Sequence, residues 1–164
     1  MPYSAASIAN AFLNLAWQDK ATVTLLKLQK LVYYAAGYYS AVYNESLLDR
    51  SIEAWQHGPV VPSIYREFRN FGPEPITRFA TILNDDWDTI DAPIPSNDDR
   101  VMRVVDFVWK TYGKYSALQL SEMTHAEGTP WSIVRRERPG VKDADIDEKK
   151  LQGYFSQYVK KKTA

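Results

Sequence analysis

The chain has 164 residues, and its 20 basic and 20 acidic side chains give a formal net charge of zero at pH 7. A protein that binds nucleic acid by neutralising phosphates carries a basic excess, so we expect no direct nucleic-acid binding. Cysteine is absent, which excludes disulfides and thiolate metal sites. The length fits one domain over residues 1–164, and 45% hydrophobic residues are enough for a folded core.

The sequence contains no apolar run that is long enough to span a bilayer. Its apolar N-terminal stretch lacks the basic region of an export signal, and its pattern is that of an amphipathic helix. We therefore expect a cytoplasmic protein with no membrane partner.

The first half of the chain predicts three helices. Ser4 or Ser7 can cap the first helix, and Thr24 can cap the second. The second helix is apolar around most of its circumference, which predicts a central and buried position. Pro62 fits the first position of the third helix, and Gly72 fits a left-handed residue just after its end.

The segment from Ser51 to Trp55 separates the second and third helices, and its side chains alternate between apolar and other types. This alternation predicts a short β-strand. The pair Gly58 and Pro59 then marks a turn, in which we expect Gly58 to take a backbone angle that is closed to other residues.

Residues 73–97 are the least regular part of the sequence. The apolar positions Ile76, Phe79, Ala80 and Leu83 suggest one or two helical turns. The acidic stretch that follows contains Asp85, Asp86, Asp88, Asp91, Asp98 and Asp99. We favour a solvated loop and the acidic first turn of a helix over a metal or acid–base site. The spacing also lacks the central glycine and terminal glutamate of a calcium loop.

The second half of the chain predicts four more helices. Their N-terminal caps are, in chain order, a box of Ser96 and Asp99, a box of Ser116 and Gln119, Thr129, and Asp147. The whole pattern predicts a mainly α-helical fold. We expect a compact single-domain bundle of about six to seven helices, with a short β element near Ser51 to Trp55 at most.

Three sequence blocks, in a fixed order, match one known pattern. KLQKLVYYA begins at Lys27, AWQHGPVVPSIY begins at Ala54, and THAEGTPW begins at Thr124. Together they resemble the Panacea domain, which is the antitoxin domain of SocA-like antitoxins and of phage-associated GepA-like proteins. The positions that carry the resemblance are Lys27, Leu28, Lys30, Leu31, Tyr34, Ala35, Trp55, Gly58, Pro59, Val60, Tyr65, Thr124, His125, Pro130 and Trp131.

The resemblance implies an antitoxin that binds and neutralises a cognate protein toxin, encoded beside it. Family members also imply a second route, in which the antitoxin delivers its toxin to a cytosolic protease. Two alternatives stay open. In the first, the chain is a hydrolytic or nucleotide-directed enzyme that uses His125 and acidic residues. In the second, it is a phage-associated binding protein that acts on a host factor.

We interpret the loops of the second and third blocks as the frame of a groove for a partner. Their exposed members His57, Arg66 and Glu127 are the candidate contacts with a toxin. Asp85 and Asp86 are further candidates, because an acidic loop would be attracted to a basic toxin surface.

Other motif residues have structural interpretations. We expect Trp55 and Trp131 to be core anchors. Lys27 and Lys30 lie near the start of the second helix, where the helix dipole disfavours cations. We favour side chains that extend outward over apolar neighbours, and the alternative is a carboxylate partner.

The two histidines, His57 and His125, invite a catalytic or metal-binding interpretation. His125 and Glu127 are two residues apart, which does not place them on one face of a helix, and there is no third histidine. We therefore predict no catalytic residue, no metal and no cofactor. A ring nitrogen of His125 can instead bond free carbonyls at the end of its helix.

Overall fold

The structure is a computed structural model that describes residues 1–159, so the last five residues of the predicted domain lie outside it. The described part contains seven α-helices: α1 (Ala5–Gln18), α2 (Leu25–Tyr43), α3 (Pro62–Phe68), α4 (Asp99–Tyr112), α5 (Ala117–His125), α6 (Pro130–Glu137) and α7 (Glu148–Val159). A short 3₁₀ helix, Arg69–Phe71, continues α3. The prediction of a mainly α-helical fold is confirmed. Over these 159 residues, no helix combines the length and the apolar character that crossing a membrane requires.

Five short strands complete the described part: β1 (Ile52–Trp55), β2 (Gly58–Val60), β3 (Thr81–Leu83), β4 (Thr89–Asp91) and β5 (Ala144–Ile146). β1 lies between β2 and β5 in a three-stranded antiparallel sheet. β3 and β4 form a separate antiparallel hairpin, in which Ile82 pairs with Ile90. The sequence predicted only β1, because strands of three residues are too short to show a periodic pattern.

Helix α2 is the centre of the molecule, as its apolar circumference predicted. It packs against α1, α3, α4, α5 and α7, and residues 28–40 are all buried. Tyr34 stacks on Tyr112 of α4 with their ring centroids 4.1 Å apart. The hydroxyls of Tyr38 and Tyr112 share a hydrogen bond of 2.7 Å, and Phe155 of α7 contacts Tyr38 edge-on. These partners let an apolar helix carry tyrosines in its core-facing arc.

Most predicted helix caps are confirmed. The side chains of Ser4, Thr24 and Thr129 each accept a hydrogen bond from a backbone N–H in the first turn of their helix. Ser116 and Gln119 form the expected reciprocal capping box at the start of α5. These ends of helices follow from local sequence because a cap bonds only to its own first turn.

The capping box predicted at Ser96 and Asp99 is wrong. Asp98 caps α4 instead, and its side chain accepts from the N–H groups of Arg100 and Val101. The hydroxyl of Tyr3, 95 residues away, donates to the other oxygen of Asp98 at 2.6 Å. This long-range bond fixes Asp98 as the cap, and no local pattern contains it.

The helical turns predicted around Ile76 and Leu83 are also wrong, because the chain forms the β3–β4 hairpin there. Asn10 of α1 is fully buried and donates to the carbonyls of Ala80 at 2.9 Å and Ala92 at 3.0 Å. Its side-chain oxygen accepts from the N–H of Ala80 at 2.7 Å. Asn10 therefore joins both ends of the hairpin to the core, and this tertiary contact overrides the weak local helical pattern.

Candidate functional site

The three motif blocks meet at the loop between β1 and β2. We call this meeting point the motif junction. It consists of His57 in the loop, Gly58 and Pro59 at the start of β2, Lys30 of α2, Ser121 and His125 of α5, and Trp131 of α6. Residues that are up to about a hundred positions apart in the sequence are thus held around one turn.

Lys30 is the centre of the motif junction. Its side chain is fully buried, and Nζ donates to the carbonyl oxygens of His57 and Pro59, each at 3.2 Å. Burial lowers the pKa of the Lys30 ammonium to about 7. Both interpretations drawn from the sequence are wrong for this residue, because its partners are buried carbonyls rather than solvent or a carboxylate. A tight turn exposes carbonyls that cannot pair within the turn, and the lysine satisfies them.

Lys27 has a different partner from the one expected. Its Nζ donates to the carbonyl of Gly113, the residue just after α4, and it lies over the ring of Trp109 at 5.7 Å from the centroid. Burial lowers the pKa of the Lys27 ammonium. A cation at the C-terminal end of a helix interacts favourably with the free carbonyls there.

Gly58 adopts the backbone angle that the sequence predicted. Its φ is +121°, a value that side-chain-bearing residues rarely adopt. A Cβ at this position would lie 2.5 Å from Nζ of Lys30 and 3.3 Å from Oγ1 of Thr124. The absence of a side chain therefore allows both the turn and the close approach of the buried lysine.

His125 ends α5 and faces the same loop. Its ring lies 4.1 Å from the ring of Trp131 and beside the main chain of His57, and its buried Nε2 has no hydrogen-bond partner within residues 1–159, so it does not bond the free carbonyls of its own helix as the sequence suggested. Burial, and then the positive charge of Lys30, lower the pKa of His125. Ser121 adds a further bond, because its Oγ donates to the carbonyl of His57 at 3.0 Å. The contacts of the His125 ring therefore bind its helix to the β1–β2 loop.

The two tryptophans of the motif have different roles. Trp131 is partly buried against the core, and its Nε1 donates to the carbonyl of Trp55 at 2.6 Å, which confirms it as an anchor. The prediction of a core anchor is wrong for Trp55 itself. The alternation of β1 buries Ile52 and Ala54, so Trp55 lies on the outer face with Glu53, whose Oε1 accepts from its Nε1 at 2.8 Å.

Sequence reasoning missed Gln29 and Ser121. The buried side chain of Gln29 donates to the carbonyl of Val61 at 3.1 Å and accepts from its N–H at 2.8 Å, so it pairs with the backbone that follows β2. Gln29 could have been identified from the sequence, because it is a polar residue on a helix that is apolar around most of its circumference. Ser121 had no comparable signal.

A groove of about 810 Å³ lies on the outer side of the β1–β2 hairpin. Its walls come from the start of α2, the β1–β2 hairpin, α3 and the loop that follows α6. Trp55 and Tyr65 meet edge-to-face in this groove, with ring centroids 5.1 Å apart. The volume lies within the range of ligand pockets, and the mixture of aromatic walls with a few charges is typical of such sites.

The structure distributes the predicted toxin contacts over different surfaces. His57 is exposed and lines the groove beside the motif residues Trp55 and Tyr65. Arg66 is exposed on α3, and Glu127 is exposed and lies 3.9 Å from Arg136 in an ion pair. Neither of these two lines the groove.

Asp85 and Asp86 lie in the turn of the β3–β4 hairpin, which is a separate surface. Both are exposed, as the solvated-loop interpretation expected. The turn is nevertheless ordered by Asn84, whose side-chain oxygen accepts from the N–H groups of Asp86 and Asp88, each at 2.9 Å.

The chemistry of the motif junction is that of a buried polar network. Within residues 1–159, no group of three or more histidine, aspartate and glutamate side chains is placed to hold a metal ion. The charged groups that act on His125 are Lys30, His57 and Arg135, which are all bases. The arrangement fixes a loop and the outer surface that this loop carries.

Comparison with known proteins agrees with the motif blocks. The sequence profile of the family described as "Antitoxin SocA-like, Panacea domain" matches residues 28–132. Antitoxin SocA of Caulobacter vibrioides (strain NA1000 / CB15N) is 34% identical over 131 residues, which is 79% of this chain and 69% of that protein. No solved structure gives a significant match. The chain therefore belongs to the family of SocA-like antitoxins with a Panacea domain.

Proposed function

We propose that this chain is an antitoxin that neutralises a cognate protein toxin by direct binding, and that the groove is the contact surface. Membership of the antitoxin family supports the role. The observation that carries the choice of surface is the motif junction. Lys30, Gly58 and Trp131 use their contacts to fix the β1–β2 loop, whose outer side forms one wall of the groove.

The groove has the physical properties of a protein-binding surface. Trp55 and Tyr65 present aromatic surface beside Arg135, and these three residue types are the most frequent energetic centres of interfaces. These residues lie on β1, α3 and α6, and the β1–β2 loop beside them is held by hydrogen bonds from Lys30 and Ser121, so little conformational entropy is lost when a partner binds.

The first test is growth rescue. Expression of the gene beside the antitoxin gene should stop growth, and co-expression of this chain should restore it. The purified proteins should form a complex. A neighbouring product that is harmless, or a toxic product that this chain neither binds nor neutralises, would contradict the proposal.

The second test addresses the groove. Tyr65→Ala should weaken toxin binding by about tenfold or more, as expected for an aromatic residue at the centre of an interface. The matched control is Tyr158→Ala, because Tyr158 is 46% exposed where Tyr65 is 39% exposed, and it lies on α7 away from the groove. Equal binding by the two variants would place the toxin on another surface.

The third test addresses the hairpin aspartates as a separate toxin contact. A variant with Asp85, Asp86 and Asp88 changed to Asn should associate with a basic toxin more slowly, with a weaker dependence of the rate on salt. Unchanged association kinetics would exclude the hairpin from the toxin interface.

The route of neutralisation is tested by the lifetime of the toxin. If the antitoxin acts by occlusion, the toxin keeps its half-life in cells and loses only its activity. If the antitoxin delivers the toxin to a cytosolic protease, co-expression shortens the half-life of the toxin, and deletion of the protease restores it.

A further inference from the structure

The β3–β4 hairpin presents apolar surface that no part of residues 1–159 covers. Trp87, at its turn, is 81% exposed, and Leu83 and Ile90 on its strands are 58% and 38% exposed. Leu83 and Ile90 lie on opposite faces of the hairpin, because Ile90 pairs with Ile82. Trp87 at the turn is therefore the main apolar side chain that the hairpin offers to another molecule.

The hairpin is held firmly at its base. Asn10 bonds the ends of both strands, as described above, and Oε1 of Glu67 accepts from the N–H of Thr81 at 3.0 Å. Arg78 donates to the same Oε1 at 2.9 Å. Four residues separate the bonded base at Ala80 from the turn, so the hairpin extends roughly 13 Å beyond it. A projection with a fixed base loses little conformational entropy on docking.

The charge around Trp87 defines the kind of surface that fits it. The aspartates in and beside the turn are Asp85, Asp86, Asp88 and Asp91. No lysine or arginine occurs between Arg78 and Arg100 in the sequence, and none of the four aspartates forms an ion pair within residues 1–159. The complementary surface therefore combines an apolar cavity with a positive rim.

The groove of this same protein has both properties. Tyr65 and Val141 contribute exposed apolar surface to its walls, and its charged lining residues are Arg135, Lys142 and Asp143, an excess of one positive charge. Its volume of about 810 Å³ is large enough to accept an indole side chain with its neighbours. Trp87 is exposed, so the hairpin does not fill the groove of its own copy.

We propose that the β3–β4 hairpin of one copy docks in the groove of a second copy. Trp87 enters between the apolar walls, and the aspartates of the turn face Arg135 and Lys142 at the rim. The formal net charge of zero removes the long-range repulsion that keeps charged proteins apart. A contact by one hairpin buries a small area, so the association is weak and depends on concentration.

The test measures the association of the purified full chain by sedimentation velocity. Association should appear as the concentration rises to about 200 µM, the range that a micromolar contact requires. It should weaken when salt rises from about 50 mM to about 500 mM, which shortens the Debye length from roughly 14 Å to roughly 4 Å. Trp87→Ala should weaken it by about tenfold or more. Leu118→Ala removes a side chain that is 66% exposed on α5, and it should leave the association unchanged.

A mixing experiment identifies the two surfaces. The hairpin variant is Trp87→Ala, and the groove variant combines Val141→Asp with Lys142→Glu, two exposed positions in the loop after α6. Each variant should be monomeric alone. An equimolar mixture should associate again, because the hairpin variant keeps an intact groove and the groove variant keeps an intact hairpin.

The outcomes are decisive in both directions. Recovery of association in the mixture supports docking of the hairpin in the groove. A parent chain that stays monomeric at all these concentrations overturns the proposal. It is also overturned if either variant associates as the parent does, or if the two monomeric variants fail to associate when mixed. The test uses this chain alone, so its result is independent of whether the toxin-binding proposal holds.

Discussion

The motif junction and the β3–β4 hairpin each contain a short turn, but the two turns are held in different ways. In the motif junction, side chains from α2, α5 and α6 bond to the backbone of the turn and of the β1 end, while the side chain of His57 stays exposed. In the hairpin the base is bonded to the core through Asn10, and the turn itself lies in solvent with Trp87 exposed.

This difference shows what the family motif does in the fold. Lys30, Gly58 and Trp131 are motif positions, and each makes an internal contact that fixes the β1–β2 loop. The most exposed aromatic side chain of the described part, Trp87, lies outside the three motif blocks. The motif therefore fixes the β1–β2 loop beside the groove, and Trp87 lies on an element outside the motif.

The largest effect should come from adding a side chain inside the motif junction. Gly58→Val should lower the free energy of unfolding by about 4 kcal/mol or more, because the side chain meets Lys30 and the backbone angle resists it. Gly140→Val is the matched control, since a Cβ there meets no atom within 4 Å. Chemical denaturation measures both variants, and equal losses would contradict a special role for Gly58.

Removal of the tryptophan anchor should have the next largest effect. Trp131→Ala should cost about 3 kcal/mol, because it removes packing against His125 and the bond to the carbonyl of Trp55. Trp131→Phe keeps most of the packing and loses the bond, so it should cost about 1 kcal/mol. A denaturation midpoint for Trp131→Ala equal to that of the parent would remove Trp131 from the framework.

Lys30 should make the stability of the fold depend on pH. Its pKa is about 7 in the folded protein and about 10.4 in the unfolded chain, so between these values the unfolded chain binds more protons. Stability should therefore rise with pH in this window, by about 2 kcal/mol from pH 7 to pH 9. The measurement is the free energy of unfolding at each pH.

The contribution of Lys30 is isolated by substitution. Lys30→Met should remove most of this rise, whereas Lys149→Met, at an exposed position, should keep it. The comparison stays below pH 9 because burial raises the pKa values of Tyr34 and Tyr112, which oppose the trend at higher pH. The same rise in both variants would show that another group produces it.

The smallest effect should come from the hairpin turn. Trp87 has φ +65°, a left-handed value that glycine adopts without steric cost. Trp87→Gly should leave the free energy of unfolding unchanged or raise it by up to about 1 kcal/mol. Thermal melts compare it with Trp131→Ala, and a clear loss of stability would mean that Trp87 supports the fold.

The sequence alone determined the features that depend on neighbours in the chain. The caps at Ser4, Thr24 and Thr129 follow from local bonds, the circumference of α2 predicted its central position, and the motif blocks predicted the family. The positive φ of Gly58 also followed from its place in a short turn. Each cap, the pattern of α2 and each single motif block is complete within about twenty residues, and the family follows from the order of the three blocks along the chain.

Only the tertiary structure decided which distant groups satisfy each other. From the sequence we expected Lys30 to extend toward solvent, because a cation is costly to bury. The carbonyls that accept its hydrogen bonds belong to a segment that is not adjacent to Lys30 in the chain. The same reason explains the β3–β4 hairpin, since Asn10 lies seventy residues before the strand end that it bonds. Long-range hydrogen bonds leave no periodic trace in a sequence, so the arrangement of the motif junction, the groove and the hairpin came from the folded chain.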